Sequence, residues 1–85
     1  MNEVLHKEQL SKDVFLLRVK APLIAEERKA GQFIILSVEE DFGERIPLTI
    51  ADADPGEGSI TLIFQRVGRT TDALAELEPG DGLAA

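Results

Sequence analysis

Five short runs of the chain predict strands. Apolar and polar residues alternate with a period of two in residues 14–20 and 59–65, whereas residues 32–38 form the most apolar run and are expected to be buried on both faces along part of their length. Turn-forming residues separate these runs, which cover residues 4–10, 14–20, 32–38, 46–51 and 59–65. The apolar positions on the shared face predict the core of the fold: Phe15, Leu17, Val19, Ile34, Leu36, Val38, Ile60, Leu62 and Phe64. Phe33 begins the most apolar run and is assigned to the core as well.

Helical signals are confined to two short segments. Pro22–Lys29 begins with Pro and places acidic before basic residues, which predicts one helical turn. Thr70 or Thr71 can cap a second helix that runs to about Leu77, just before a Pro-Gly pair. Strands with short turns and one late helix predict an all-β fold, a small antiparallel β-barrel with Greek-key order.

The C-terminal residues predict the beginning of a sixth strand. Asp81–Ala85 follows a Pro-Gly turn and ends without a stop signal, so residues 1–85 are interpreted as one domain of a longer chain with its last strand truncated. An exposed strand edge pairs readily with another chain, and a homodimer through this edge is therefore a candidate association.

Composition limits the chemistry that these residues can perform. The 85 residues contain no cysteine and one histidine, His6, which excludes disulfides and Cys-ligated metal centres inside the chain. The net charge of −7 argues against nucleic acid as a partner. The sequence has no apolar run long enough to span a membrane and no signal-peptide pattern, so we expect a cytoplasmic protein.

Two segments combine residue types that suit a bound pyrophosphate with a flat group beside it. Residues 44–52 set an Arg, a Pro and a Thr inside an apolar strand, and residues 67–71 set a Gly, an Arg and two Thr at a helix start. Free N–H groups and the helix dipole attract phosphate there, and Gly lets the backbone approach closely. The candidate binding residues are Arg45, Pro47, Leu48, Thr49, Gly68, Arg69, Thr70 and Thr71.

Structural interpretations of the same residues remain open. Arg45 and Arg69 can be solvated surface charges, as most exposed Arg side chains are. Thr70 and Thr71 can be plain helix caps, and Thr49 can be a strand residue that reflects only β-propensity.

Four segments, in this order and spacing, resemble the N-terminal FAD-binding domain of the ferredoxin–NADP reductase superfamily: residues 30–34, 46–52, 67–71 and 77–81. Within the superfamily the likeness is to the small subunit of NADH-dependent ferredoxin:NADP oxidoreductase, also known as the sulfide dehydrogenase beta subunit. The electron-transfer subunit of dihydroorotate dehydrogenase is a near relative. The resemblance covers nearly the whole chain.

This resemblance implies a six-stranded antiparallel barrel that binds FAD. It also implies an NAD(P)-binding domain and a [2Fe–2S] cluster later in the parent chain, outside these residues. The partners that it implies for the parent are a larger iron–sulfur and flavin subunit and ferredoxin. The expected function is that of an FAD-binding domain in an oxidoreductase that moves electrons between NAD(P)H and ferredoxin or iron–sulfur partners, a reaction that this chain alone should not catalyse.

The superfamily's flavin motif is Arg-x-Tyr-Ser/Thr, in which Arg pairs with the pyrophosphate, Tyr stacks on the isoalloxazine and the hydroxyl faces flavin N5. Alignment places Thr49 at the hydroxyl position and Leu48 at the aromatic position, whereas Ile46 stands where Arg is expected and Arg45 lies one residue earlier. The chain has no Tyr or Trp, so the flavin is expected to pack on aliphatic side chains.

The superfamily's second motif is a Gly followed by small or hydroxyl residues at a helix start, and it matches Gly68, Thr70 and Thr71. The alternative function is a cofactor-free β-barrel module for protein interaction. The missing aromatic and the displaced Arg45 favour that alternative.

Overall fold

A computed structural model, which describes residues 2–37 and 45–83, shows antiparallel strands and two short helices. The elements in chain order are β1 (Asn2–Ser11), β2 (Val14–Lys20), α1 (Pro22–Glu27), β3 (Phe33–Leu36), β4 (Ile46–Asp54), β5 (Ser59–Gln65), α2 (Arg69–Ala75) and β6 (Gly82–Leu83). The predicted all-β class is confirmed. Strands β2 and β5 have the predicted bounds, whereas β1 and β4 extend beyond theirs.

The strands form one sheet in the order β3-β4-β5-β2-β1-β6, and every neighbouring pair is antiparallel. Within the described ranges β3 and β6 are the two edges of this sheet, which curls into a half-barrel. The predicted sixth strand is present, because Gly82–Leu83 pairs with Asn2 and Glu3 of β1. The homodimer through its outer edge stays a prediction.

One face of the curled sheet holds the hydrophobic core. Leu17, Ile50 and Leu62 have no exposed surface, and α2 adds Leu74, which is also fully buried. Every predicted core residue in β2, β3 and β5 is buried except Phe33, and Val38 lies outside the described residues. Alternation therefore predicted the buried faces of β2 and β5 correctly.

Phe33 is the exception, and its assignment to the core is wrong. Its side chain is 61% exposed, as Ile35 is on the same face at 48%, whereas Ile34 and Leu36 point into the core. The run Phe33-Ile34-Ile35-Leu36 is apolar on both faces, so alternation could not show which face is buried. The pairing of β3 with β4 fixes which of the two apolar faces of β3 is exposed.

Leu62→Ala tests this core, because Leu62 is fully buried at the centre of β5. We expect the substitution to lower the free energy of unfolding by about 2–5 kcal/mol, through lost apolar burial and the cavity left behind. The matched control is Leu23→Ala on α1, where Leu23 is 73% exposed; it should change stability by no more than about 0.5 kcal/mol. Urea unfolding measures both, and equal losses would contradict the proposed core.

Candidate functional site

Strand β4 changes its partner half-way along, and this change shapes the candidate site. Residues 46–49 pair with β3, whereas from Ile50 onwards the strand pairs with β5, beginning opposite Leu62. Among the described residues no ladder joins 46–49 to residues 63–65 of β5. The first half of β4 and the second half of β5 therefore separate at one end of the sheet.

Pro47 lies in the half of β4 that has no ladder with β5. The Ile50 backbone bonds towards the β3 side, accepting from Gly31 N–H at 2.9 Å and donating to the Gln32 carbonyl at 2.7 Å. The N–H and C=O groups of successive strand residues point to opposite edges of the strand. Pro47 lies three residues before Ile50, so the position of its missing N–H is on the edge that faces β5, where residues 46–49 form no ladder. A Pro inside a strand is tolerated at a strand end, at a bulge or at a position that is not paired, and Pro47 is of the last kind on this edge.

The register of β3 with β4 brings four side chains onto one exposed surface, here named the β3–β4 patch. Phe33 pairs with Thr49 and Ile35 pairs with Pro47, and all four residues are exposed. Phe33, Pro47 and Thr49 together line a shallow cavity of about 380 Å³. The patch is therefore an apolar surface with one hydroxyl, that of Thr49, at its end.

Leu48 lies on the opposite face of β4 from Thr49. It pairs with the buried Ile34 and packs, partly buried, against the core. Ile46 has the same orientation, beside Leu36. Leu48 thus faces the core and Thr49 faces outwards.

Arg45 directly precedes β4 and is exposed. Continuing the strand alternation places it on the side of Pro47 and Thr49, whereas Ile46, where the motif has Arg, faces the core. Among the described residues no ion pair involves Arg45.

The second candidate segment forms the turn from β5 into α2. The N-cap residue is Gly68, with extended backbone, so the prediction of Thr70 or Thr71 as the N-cap is wrong. Thr71 instead reaches back from the third helical position. Its Oγ1 accepts hydrogen bonds from Val67 N–H and Gly68 N–H, both at 2.9 Å, and donates to the Gly68 carbonyl at 3.0 Å.

These bonds fix the shape of the turn and occupy the Val67 and Gly68 donors. The first bond within the helix is donated by Asp72 N–H to the Gly68 carbonyl at 2.8 Å. The backbone N–H groups of Arg69 and Thr71 precede this first bond and have no acceptor within the helix. The Thr70 side chain is buried, while Arg69 is exposed.

Arg66, the residue directly after β5, forms ion pairs with one residue in α2 and one at its C-cap. Its Nε donates to Asp72 Oδ1 and its Nη2 to Glu76 Oε1, each at 2.8 Å. Hydrogen bonds to Asp72 and then to Glu76 raise the pKa of Arg66 above its usual value. The guanidinium is thus engaged by Asp72 in the first turn of α2 and by Glu76 at its C-cap, and it offsets part of their negative charge.

The two candidate segments lie at the same end of the sheet. Arg45 precedes Ile50 by five residues and Val67 follows Leu62 by five, and Ile50 and Leu62 are paired in antiparallel strands. Equal lengths of extended chain therefore bring Arg45 and Val67 to a similar level beyond the last ladder pair. Sequence reasoning had placed these residues at one site without knowing the strand order.

Sequence reasoning missed the position of Phe33 beside Thr49. No signal in the run 33–36 identifies its exposed face, and only the cross-strand register places Phe33 there. Phe33 also lines a second cavity of about 530 Å³ between α1 and β3, together with Ile24 and Arg28.

Known proteins were compared with this chain. No family model matches. An uncharacterized protein encoded in the adh 3' region of Clostridium beijerinckii is 44% identical over 84 residues, which are 99% of this chain and 28% of that protein. A dihydroorotate dehydrogenase B (NAD(+)) electron transfer subunit homolog of Thermotoga maritima is 38% identical over 81 residues, 95% of this chain and 28% of its own length.

A solved structure is also similar. It is that of the NADH-dependent reduced ferredoxin-NADP oxidoreductase, described in connection with flavin-based electron bifurcation. The match has a TM-score of 0.92 and 37% identity, and it covers 98% of this chain and 30% of that chain. The predicted resemblance to the ferredoxin–NADP reductase superfamily is confirmed.

The Thermotoga maritima relative is named as a homolog of an electron transfer subunit, and a protein of Fusobacterium nucleatum, 29% identical over 75 residues, is named as such a subunit. The chain spans less than a third of the length of the relatives it matches. No helix in the described part of the chain is long and apolar enough to cross a bilayer. The described residues also contain no group of three or more His, Asp or Glu side chains placed to hold a metal ion.

Thr71→Val tests how the turn before α2 is held. The substitution removes the hydroxyl that accepts from Val67 and Gly68, and we expect a loss of about 1 kcal/mol in the free energy of unfolding, as for a lost helix cap. Amide exchange in α2 should also accelerate. The control is Thr61→Val in β5, because the Thr61 hydroxyl makes no hydrogen bond to any described residue. A loss no larger than that of the control would show that the hydroxyl does not hold the turn.

Proposed function

We propose that this chain is the FAD-binding domain of a flavin-dependent electron-transfer oxidoreductase. The single observation that supports this most is the position of residues 45–49 and 67–71 at one end of the sheet, where β4 and β5 separate. The first segment offers an apolar surface with a hydroxyl, and the second offers backbone donors with a positive charge nearby. FAD has one flat apolar end and one pyrophosphate, which is the same pair of chemical features.

The residues present fit the isoalloxazine end of the cofactor. The β3–β4 patch is open and apolar, and its cavity of about 380 Å³ is lined by a Pro ring, an aromatic ring and the Thr49 side chain. Flat heteroaromatic groups favour such surfaces because they bury apolar area on one face and leave their polar edges accessible. Thr49 would contact the edge of the ring, with Pro47 beneath it.

Leu48 has a different role from the one that the motif gives to its aromatic residue. Because its side chain packs partly buried against the core, it holds β4 in place behind the ring. Thr49 and Pro47 then present their side chains on the outer face.

The pyrophosphate would be bound by residues 68–71. Gly68 has extended backbone and free space where a Cβ would stand, so a phosphate can approach it closely. Backbone N–H groups of Arg69 and Thr71 would donate to phosphate oxygens, and Arg45 or Arg69 would supply charge. The Thr71 hydroxyl would hold the turn, because its Oγ1 is engaged with Val67 and Gly68.

Bound FAD would supply the redox chemistry, accepting a hydride and releasing single electrons, while the protein supplies binding and orientation. The parent protein would move electrons between NAD(P)H and ferredoxin or iron–sulfur partners, with a larger subunit carrying further centres. Its NAD(P) site and [2Fe–2S] cluster would lie outside residues 1–85, so this chain alone would be inactive. We propose a cytoplasmic location for it.

The alternative function, a cofactor-free interaction module, is favoured by exposed apolar side chains. Phe33, Ile35 and Val67 are 61%, 48% and 73% exposed, and such side chains also suit protein contacts. The visible absorption of the protein distinguishes the two functions, because a flavin domain is yellow and releases its FAD on denaturation. A chain that binds no FAD under any loading condition would support the interaction module.

Arg45→Ala and Arg69→Ala test the anion site by titration of the apo-protein with FAD. A charge-assisted hydrogen bond contributes about 1.5–3 kcal/mol, so loss of a phosphate contact should weaken FAD binding by about 10- to 100-fold. Lys20→Ala is the control, because it removes a positive charge at the other end of the sheet, where Lys20 pairs with Ser59. Unchanged affinity in both Arg variants would place the charged contact elsewhere.

Thr49→Val tests the contact between the hydroxyl and the ring. The variant keeps the size and β-branched shape of the residue, so FAD affinity should change by less than about threefold, roughly 0.6 kcal/mol. The visible absorption and the reduction potential of the bound flavin should shift, because a hydrogen-bonding group beside the ring has been removed. Identical spectra and potentials in wild type and variant would show that Thr49 serves only the strand.

A further inference from the structure

Phe33 is unusual among the phenylalanines of this chain. Phe15 and Phe64 are buried and stack against each other with ring centroids 6.0 Å apart, so the core already contains its aromatic pair. Phe42 lies outside the described residues. Phe33 is therefore the one described aromatic side chain that is exposed, at 61%.

The position of Phe33 is fixed by two features of the sheet. It is the first residue of β3, and the ladder sets it directly opposite Thr49. Residues paired across antiparallel strands lie on the same face, with Cβ atoms about 5 Å apart. Phe33 and Thr49 are therefore neighbours on the outer face, and both line the cavity of the β3–β4 patch with Pro47.

The chain lacks an aromatic residue where the flavin motif has one. The corresponding residue, Leu48, faces the core, and the chain contains no Tyr or Trp. On the outer face of β4, a flat ring would contact only the non-aromatic side chains of that strand, Pro47 and Thr49. The neighbouring strand supplies the aromatic surface instead.

We infer that Phe33 is a flavin-binding residue, whose ring stacks on the isoalloxazine and takes the place of the motif's absent aromatic side chain. This inference rests on the proposed function. The occupant is a flavin and not a protein segment, because the Thr49 hydroxyl and the exposed Arg45 border the same patch and Arg69 lies at the same end of the sheet. An apolar protein segment would not use these groups.

Two substitutions separate stacking from simple apolar contact. Phe33→Leu keeps much of the apolar area but removes the π-system, and FAD binding should weaken by about 3- to 10-fold. Phe33→Ala removes both, and binding should weaken by about 10- to 100-fold. The urea midpoint of each variant should match that of the wild type, because the side chain is mostly exposed before the change.

The absence of Tyr and Trp allows a direct spectroscopic test. Excited flavins are quenched by electron transfer from Trp only at near-contact distance, and the wild-type chain has no such donor. In Phe33→Trp the fluorescence lifetime of bound FAD should shorten strongly, with affinity within about threefold of wild type because another aromatic ring can stack there. Leu23→Trp is the matched control on α1, where Leu23 is 73% exposed and lines a separate hollow with Asn2 and Pro22; it should leave the lifetime unchanged.

The outcomes distinguish the two proposals. If the wild type binds FAD but Phe33→Ala keeps its affinity and Phe33→Trp keeps the wild-type lifetime, Phe33 does not contact the ring, while the proposed function stands. Equal shortening in Phe33→Trp and Leu23→Trp would also overturn the assignment of Phe33. If the wild type binds no FAD, the proposed function fails and this inference fails with it.

Discussion

The separation of β4 from β5 at Ile50 is the constraint on which the candidate site depends. A strand that kept both neighbours along its whole length would close this end of the sheet with ladder hydrogen bonds. Here the first half of β4 pairs only with β3, and Pro47, which cannot donate, lies on the edge that faces the gap. Pro47 thus leaves this edge of β4 without one donor, while the ladder with β3 sets Thr49 opposite Phe33.

The turn into α2 depends on a second set of local bonds. Thr71 Oγ1 accepts hydrogen bonds from the Val67 and Gly68 amides. Arg66 forms ion pairs with Asp72 in the helix and with Glu76 at its C-cap. Asp72 is an acidic residue in the first turn of α2, where its charge would repel a bound anion. Arg66 pairs with both Asp72 and Glu76 and so neutralises one of their two negative charges, and Arg69 brings the summed charge of these four side chains to zero. The proposed pyrophosphate site would therefore not be repelled by net negative charge from these residues.

The sequence predicted the all-β class and the strand bounds of β2 and β5. These features depend on local patterns: a period of two and turn residues at the ends of the runs. It did not predict the exposed face of Phe33-Ile34-Ile35-Leu36, because both faces of that run are apolar and only pairing with β4 distinguishes them. It also mistook Thr71 for an N-cap, since a hydroxyl that reaches back from the third helical position leaves the same sequence signature as one at the cap.

The exposure of Phe33 also bears on the stability of the folded domain. A chain of 85 residues buries only about 60% or slightly more of its unfolded surface, so its core contributes little excess stability. Phe33 and Ile35 are largely exposed in the folded chain and contribute little to that core. A flat ligand that covers them adds apolar burial that only the folded state can offer, because only the folded sheet aligns β3 with β4. Binding at 100 times the dissociation constant adds about 2.7 kcal/mol of stability. Binding of the proposed flavin at the β3–β4 patch would therefore stabilise the folded domain by covering apolar side chains that its own core leaves exposed.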